Sequence, residues 1–364
     1  MGLFGRLRSR AVLAAVVGLA LVASACGGDD AATTTSTDRS VPDAGKVVLV
    51  THESFAVSDA VLNAFEAETG LKVEILRSDD AGAALSQAIL TKDDPLGDVL
   101  FGVDSTFLSR ALDEGIFVPY KADGIDRVPA EFRLDPESRV TPIDYGDVCL
   151  NYDIGWFARA GIAPPVSLDD LAKADYKDLT VVENPATSSP GLAYLLATVA
   201  KYGAGGWAGY WQSLRDNGVL VVDGWDQAYY DEFTSGGGSG ERPIVVSYAS
   251  SPPADVIYAE EPKSEPSIGV VESSCFRQVE FAGILAGAPH EAAARKLVDF
   301  MLSTEFQEDV PLQMFVFPVD RDAALPEVFR KWAVIPANPL TLEPSAIAAG
   351  RDAWIDEWTD VVLR

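Results

Sequence analysis

Histidine and cysteine are scarce in this chain, with two histidines and three cysteines among 364 residues. The scarcity removes several chemistries. No C-x-x-C pair occurs, so zinc clusters and thioredoxin-type redox sites have no support. A Ser-His-Asp triad would have to use His52, because His290 follows Pro289 at a helix start and reads as a surface residue. No G-x-S-x-G elbow, G-x-G-x-x-G turn or P-loop is present. The run Ser235-Gly236-Gly237-Gly238-Ser239-Gly240 lacks a following Lys-Ser/Thr and reads as a flexible loop, not a phosphate cradle. Carboxylate pairs such as Asp79-Asp80 and Asp93-Asp94 lie in polar stretches and read as solvated or capping groups. Carboxylates alone can run glycoside hydrolysis, but nothing else in the chain points there. The reading is a non-enzyme with no catalytic residue, no metal and no cofactor.

Basic residues are also few, 28 against 55 acids. That balance argues against nucleic-acid or anionic-lipid partners, which need basic patches. It weakly favours a cationic ligand through steering, and an acidic surface kept for solubility accounts for it equally well.

The amino terminus sets the compartment. Arg6, Arg8 and Arg10 precede an apolar run over residues 11–22 that is short for a membrane span. It closes on Ala23-Ser24-Ala25-Cys26, small residues followed by a cysteine. This reads as a secretory signal over 1–25. It resembles a bacterial lipobox with Cys26 as the lipidated residue, although Ala23 stands where leucine is usual. Residues 27–44 are mostly Thr, Ser, Asp, Ala and Gly, so 26–44 reads as the lipidated cysteine and a flexible tether. With the three leader arginines gone, the formal charge of −27 becomes about −30. The expected product is extracytoplasmic and held on the cell membrane only through that lipid. Cys149 and Cys275 remain, each in an alternating strand-like stretch. In an oxidising compartment they read as a disulfide, two buried free thiols being the alternative.

Beyond the tether, apolar runs alternate with helical spacing. Strands are expected at 46–51, 71–76 and 98–102, with helices at 57–69, 82–90 and 105–114. A second series covers 168–172, 179–183, 191–202, 207–216, 219–223 and 244–248. A strand at 279–285 with a helix at 291–302 reads as a return to the first lobe, and 344–362 as a terminal helix. The series implies an α/β fold with a mostly parallel sheet and helices on both faces. Two segments turn from a strand into a small-residue loop: Thr187-Ser188-Ser189-Pro190-Gly191 and Ser247-Tyr248-Ala249-Ser250-Ser251-Pro252. Such loops hold small ligands at strand ends. Trp225 and Tyr229 lie between them in sequence, and hydroxyls beside aromatics suit a flat, polar ligand.

Ordered motifs over about residues 45–364 carry a resemblance. They are Val50-Thr51-His52-Glu53-Ser54-Phe55, Asp98-Val99-Leu100-Phe101-Gly102-Val103-Asp104, Asp144-Tyr145-Gly146, Asn184-Pro185-Ala186-Thr187-Ser188-Ser189-Pro190-Gly191-Leu192, Gly224-Trp225-Asp226-Gln227-Ala228-Tyr229, the Ser247–Pro252 loop with Val246, and Gly350-Arg351-Asp352-Ala353-Trp354-Ile355-Asp356-Glu357-Trp358. The series resembles the thiamine-binding members of the solute-binding proteins of ABC importers. The resemblance implies a type II periplasmic-binding-protein-like fold, with mixed, mostly parallel sheets and hinge strands between lobes. The lobes would comprise residues 45–145 with 274–318, and 146–273; residues 319–364 would pack on both. It also implies a monomer that takes thiamine or a thiamine phosphate and delivers it to permease subunits, without binding nucleic acid.

The implied ligand residues are His52, Asp104, Tyr145, Ser188, Ser189, Pro190, Gly191, Trp225, Asp226, Tyr229, Tyr248, Ser250, Ser251 and Phe315. Asp104 is the first candidate for counter-ion to the thiazolium and Asp226 the second. Several also have a plainer role: helix cap for Asp104, Ser188 and Ser189, core for Trp225, Tyr229 and Tyr248, cleft edge for His52. The family often has tyrosine where His52 stands, a tryptophan soon after the Ser-Phe-Ala segment, and a tryptophan where Phe315 stands. A ferric-iron relative is the alternative, with Tyr229-Tyr230, His52 and Glu53 as ligands. Iron relatives, however, place their tyrosine pair after the strand that here runs into Ser247-Tyr248-Ala249-Ser250.

Overall fold

The computed structural model describes residues 45–259 and 262–364. The signal, Cys26 and the tether lie outside the described residues. No helix among those described is long and apolar enough to cross a membrane.

Among the described residues, nine strands form one hydrogen-bonded sheet: β1 (Lys46–Thr51), β2 (Lys72–Arg77), β3 (Val99–Asp104), β4 (Thr141–Asp153), β5 (Thr180–Glu183), β6 (Leu220–Val222), β7 (Ile244–Tyr248), β8 (Ile268–Ile284) and β9 (Phe317–Pro318). The order is β2-β1-β3-β8-β4-β7-β5-β6, with β9 on β4. The outer pairs, β1 with β2 and β3, and β5 with β6 and β7, are parallel. The pairs made by β4 and β8 at the centre are antiparallel. These two strands, of 13 and 17 residues, explain the continuity. The later part of β8 pairs with β3, while the later part of β4 pairs with β7, so one ladder serves both halves of the sheet. The return strand therefore begins eleven residues before the expected 279, at Ile268.

Local signals set the helix ends. Ser58 caps Asp59–Thr69, which stops at Gly70 with φ +72°. Ser188 caps Ser189–Tyr202, accepting from Gly191 N, with Pro190 in the first turn. The helix expected at 105–114 shortens to Leu108–Asp113, because the Asp104 carboxylate holds the amides of Thr106 and Phe107 in a turn first. Trp207–Asp216 and the terminal helix Pro344–Val362 meet edge to face through Trp211 and Trp358, 5.5 Å apart. On its other side the terminal helix reaches the first half, Arg351 Nη1 donating to Ser109 Oγ.

Where β4 and β8 cross, the register jumps between Val148 and Leu150. There Cys149 and Cys275, both fully buried, are bridged with Cα atoms 4.2 Å apart. His290 departs from the surface position expected of it. Its side chain is 11% exposed, with Nδ1 3.2 Å from the buried Asp98 carboxylate.

Candidate functional site

A cleft of about 910 Å³ opens between the two halves of the sheet. Its lining includes His52, Ser189, Pro190, Trp225, Asp226, Tyr229, Tyr248, Ser251 and Phe315, nine of the residues expected at the site.

One wall is aromatic. The indole of Trp225 stacks on Tyr229, centroids 4.8 Å apart and planes 20° from parallel, with Tyr230 and Tyr248 edge-on. A π-helical turn over Gln227–Glu232 presents the two tyrosines. Most polar ends of this wall are already engaged, the buried Tyr229 OH being the exception. Trp225 Nε1 donates to Ser247 Oγ at 3.0 Å, Ser247 and Ser251 hydroxyls are 3.0 Å apart, and Tyr248 OH donates to Gln278 Oε1. The Tyr248 ring lies over Gly146, where a Cβ would meet its Cδ1 at 2.9 Å, so glycine is required there. Phe315 lines the opposite side with φ +55°, a conformation costly for a bulky residue. Gly236 to Gly238, read from sequence as a free loop, also line the cleft.

Five expected residues do not line it. Asp104 is fully buried behind Gln278. Its Oδ1 accepts from Thr106 N, Thr106 Oγ1 and Phe107 N, and its Oδ2 accepts from Gln278 Nε2 at 2.5 Å. Burial lifts its pKa to about 6, opposed by those donors. Gln278 also donates to Ser189 Oγ at 2.9 Å, so Asp104 acts on the cleft through a glutamine instead of touching it. Tyr145 points to the other face of β4, as its alternation with Asp144 requires, and packs between Phe132 and Phe317. Ser188 is a buried cap, and Gly191 sits against the Glu183 backbone, where a Cβ would come within 2.6 Å of the carbonyl oxygen. Ser250 is fully buried, its Oγ without a protein partner.

Of the acids that face the cleft, Asp226 was expected among the ligand residues, whereas Asp80 and Glu280 were not. Asp80, read as a solvated or capping loop acid, caps Ala81–Leu90 and reaches across to the other half. It accepts from Trp225 N at 2.9 Å and Ser189 N at 3.4 Å. Burial raises its pKa, with those amides pulling the other way. Ser54 Oγ donates to Asp226 Oδ1 at 2.7 Å, a second bond across the opening. Glu53 beside them is lifted to about 7 by burial and by Asp226, Asp80 and Asp79. Glu280, on β8, lies at the floor with His52 Nε2 3.8 Å away. His52 is pushed down to about 4, first by burial and then by Arg77, so it is neutral at neutral pH and leaves the Glu280 carboxyl without a cation. Asp80 had a faint signal as an acid before a helix; Glu280 had none, since its neighbours come from strands far away in sequence. Lys263, the one lysine on the lining among the described residues, is held by Asp255 Oδ1 at 2.8 Å and Ser267 Oγ. Among the described residues no three His, Cys, Asp or Glu side chains converge to share a metal ion. An aromatic wall over an acidic floor suits a flat ligand carrying positive charge.

The model of the bacterial extracellular solute-binding protein family matches residues 94–333. The thiamine-binding periplasmic protein of Salmonella typhimurium is 32% identical over 323 residues, 87% of this chain and 94% of the relative. A solved periplasmic thiamin binding protein superposes with a TM-score of 0.75 at 30% identity, covering 88% of this chain and 96% of its own. A ferric binding protein from Campylobacter jejuni shares the fold at 18% identity, with a TM-score of 0.68 over 86% of this chain and 99% of its own.

Proposed function

Because the chain belongs to the bacterial extracellular solute-binding proteins, we propose that it captures thiamine, or a thiamine phosphate, and delivers it to the permease of an ABC importer. The observation that carries this reading is the pairing of Trp225, Tyr229 and Tyr248 with acids in one cleft where Lys263 is already engaged. Thiamine has a permanent thiazolium cation, a flat aminopyrimidine and a hydroxyethyl arm. A cation against an aromatic face gains about 0.5–2 kcal/mol, and Ser189, Ser251 and the Gly236–Gly238 backbone offer hydrogen-bonding groups to the pyrimidine and the arm.

In this reading residues 45–145 and 274–318 form one lobe, 146–273 the other, and 319–364 pack on both. β4 and β8 are the hinge, and the Cys149–Cys275 bridge limits twisting there while leaving bending free. The bonds from Asp80 to Trp225 and from Ser54 to Asp226 hold the closed form, and ligand contacts from both lobes favour it further. The permease reads that closed form, and the ligand leaves chemically unchanged. Residues 1–25 act as the signal and Cys26 carries the lipid that anchors a monomer to the membrane. Replacement Cys26→Ala is expected to release the protein to the medium with binding intact; a variant that stays membrane-bound places the anchor elsewhere.

Native mass spectrometry of the untreated protein tests the central point. A bound mass equal to thiamine or one of its phosphates is expected, and retention of iron in its place would overturn the reading.

A further inference from the structure

Glu280 is flanked on both sides by acids. On β8 it is the register partner of Asp104 on β3 and of Asp144 on β4. Register partners in a sheet share a face, with Cβ atoms about 4.5–5.5 Å apart, and like charges placed so repel. The three carboxyls therefore run in a row, Glu280 at the floor of the cleft and Asp104 and Asp144 buried to either side of it. They are not equally provided for. Asp104 has four donors. Asp144 is fully buried and, apart from the Glu280 carboxyl beside it, neither oxygen has a hydrogen-bond partner. Glu280 is 9% exposed and is the member of the row that opens on the cleft. The nearby guanidinium of Arg277 is spent on Asp147 at 2.6 and 2.9 Å. The remaining groups around Glu280 are His52, Asp80 and the Tyr248 phenol, and none supplies positive charge at neutral pH.

We propose that Glu280, backed by Asp144, is the residue that recognises positive charge in this cleft, and that an arriving cation takes the place of a proton held between the two carboxyls. The inference rests on the reading of the cleft as a thiamine site. Two adjacent buried carboxyls without a counter-ion cannot both ionise cheaply, so one proton stays with the pair. Burial raises both groups; Asp144, Asp104 and Asp80 raise Glu280 further. A thiazolium beside Glu280 supplies the missing charge, the proton leaves to solvent, and the balance is one cation in for one proton out. A neutral ligand of the same shape gains nothing from this exchange. Asp144 acts as a positioning residue, since it is fully buried and does not line the cleft.

The test is calorimetric titration of thiamine in buffers of differing ionisation enthalpy, from about pH 5 to about pH 8. The wild type is expected to release up to one proton per ligand, with affinity rising by up to about tenfold per pH unit and levelling off once the free pair has lost its proton. In Asp144→Asn, Glu280 loses its like-charged neighbour, so proton release falls and the affinity profile flattens; the ligand's own ring titration cancels in the comparison. Glu280→Gln is expected to erase the preference for thiamine over its neutral thiophene isostere. Binding of thiamine without proton release, or an Asp144→Asn profile that overlays the wild type, overturns the inference. Failure of thiamine to bind overturns the functional reading itself. The proton is then still readable in the free protein, as a protonated-carboxyl infrared band that Asp144→Asn weakens; an unchanged band refutes the shared proton.

Discussion

The two faces of the cleft solve opposite problems. The aromatic wall is nearly complete without a ligand: Trp225 Nε1, Ser247, Ser251 and Tyr248 OH have partners within the protein, while the buried Tyr229 OH lacks one. The acidic floor is incomplete, since Asp144 has no partner but the Glu280 carboxyl and Glu280 has no counter-ion. A finished wall costs little to hold in place and so pre-organises shape. An unfinished floor stores repulsion that only a positive charge relieves, and so selects charge. Shape and charge recognition are thereby divided between residues that can be altered separately.

That division is open to test, and the wall is expected to show the largest effect. Trp225→Ala removes the ring on which Tyr229 stacks and should weaken thiamine by about 2–4 kcal/mol in calorimetry, equally for the neutral thiophene isostere. An unequal loss would mean that the wall also reads charge. Asp80→Asn comes next. It weakens the bonds to Trp225 N and Ser189 N that cross the opening, and about 1.5 kcal/mol of affinity should go with it. Small-angle scattering of the ligand-free variant should show a more open molecule; an unchanged profile would deny Asp80 its part in closure.

The floor should also mark stability. Burial holds Asp144 up to about 7, above the ordinary carboxylate value, so the folded chain binds that proton more tightly than the unfolded one. Its contribution is fully present below the ordinary carboxylate range and is lost as pH rises through about 7. The melting temperature of the ligand-free protein should therefore decline across that interval, and Asp144→Asn should lessen the decline. The smallest effect is expected from Asp104→Asn. Asp104 touches Gln278 and not the cleft, so the variant should weaken thiamine and the isostere alike, by under about 1 kcal/mol. A loss confined to the charged ligand would restore Asp104 as the counter-ion and move the selecting residue off Glu280.

Much of the fold was legible because its signals are local. Apolar runs located β1 and β7, Gly70 closed the first helix, and the paired Trp354 and Trp358 marked the terminal one. The aromatic half of the site was legible for a related reason, since Trp225, Asp226 and Tyr229 arrive on one short segment. The acidic half was not. Asp104 stands at a strand end, where it reads as a ligand, yet its own turn and Gln278 absorb both oxygens. Tyr145 belongs to a motif that supplies Asp144 to one face and turns the tyrosine to the other.

By itself the sequence determined which segments become strands and helices, which aromatics travel together, and that acids outnumber bases, because each depends on spacing or composition along one stretch of chain. Which acid reaches the cleft floor was decided by register. Glu280 lies beside Asp104 and Asp144 only because β8 runs antiparallel between β3 and β4 in one alignment. A shift of one residue would turn it to the opposite face. Burial then sets the charge it carries, and burial belongs to the assembled sheet, not to any segment of it.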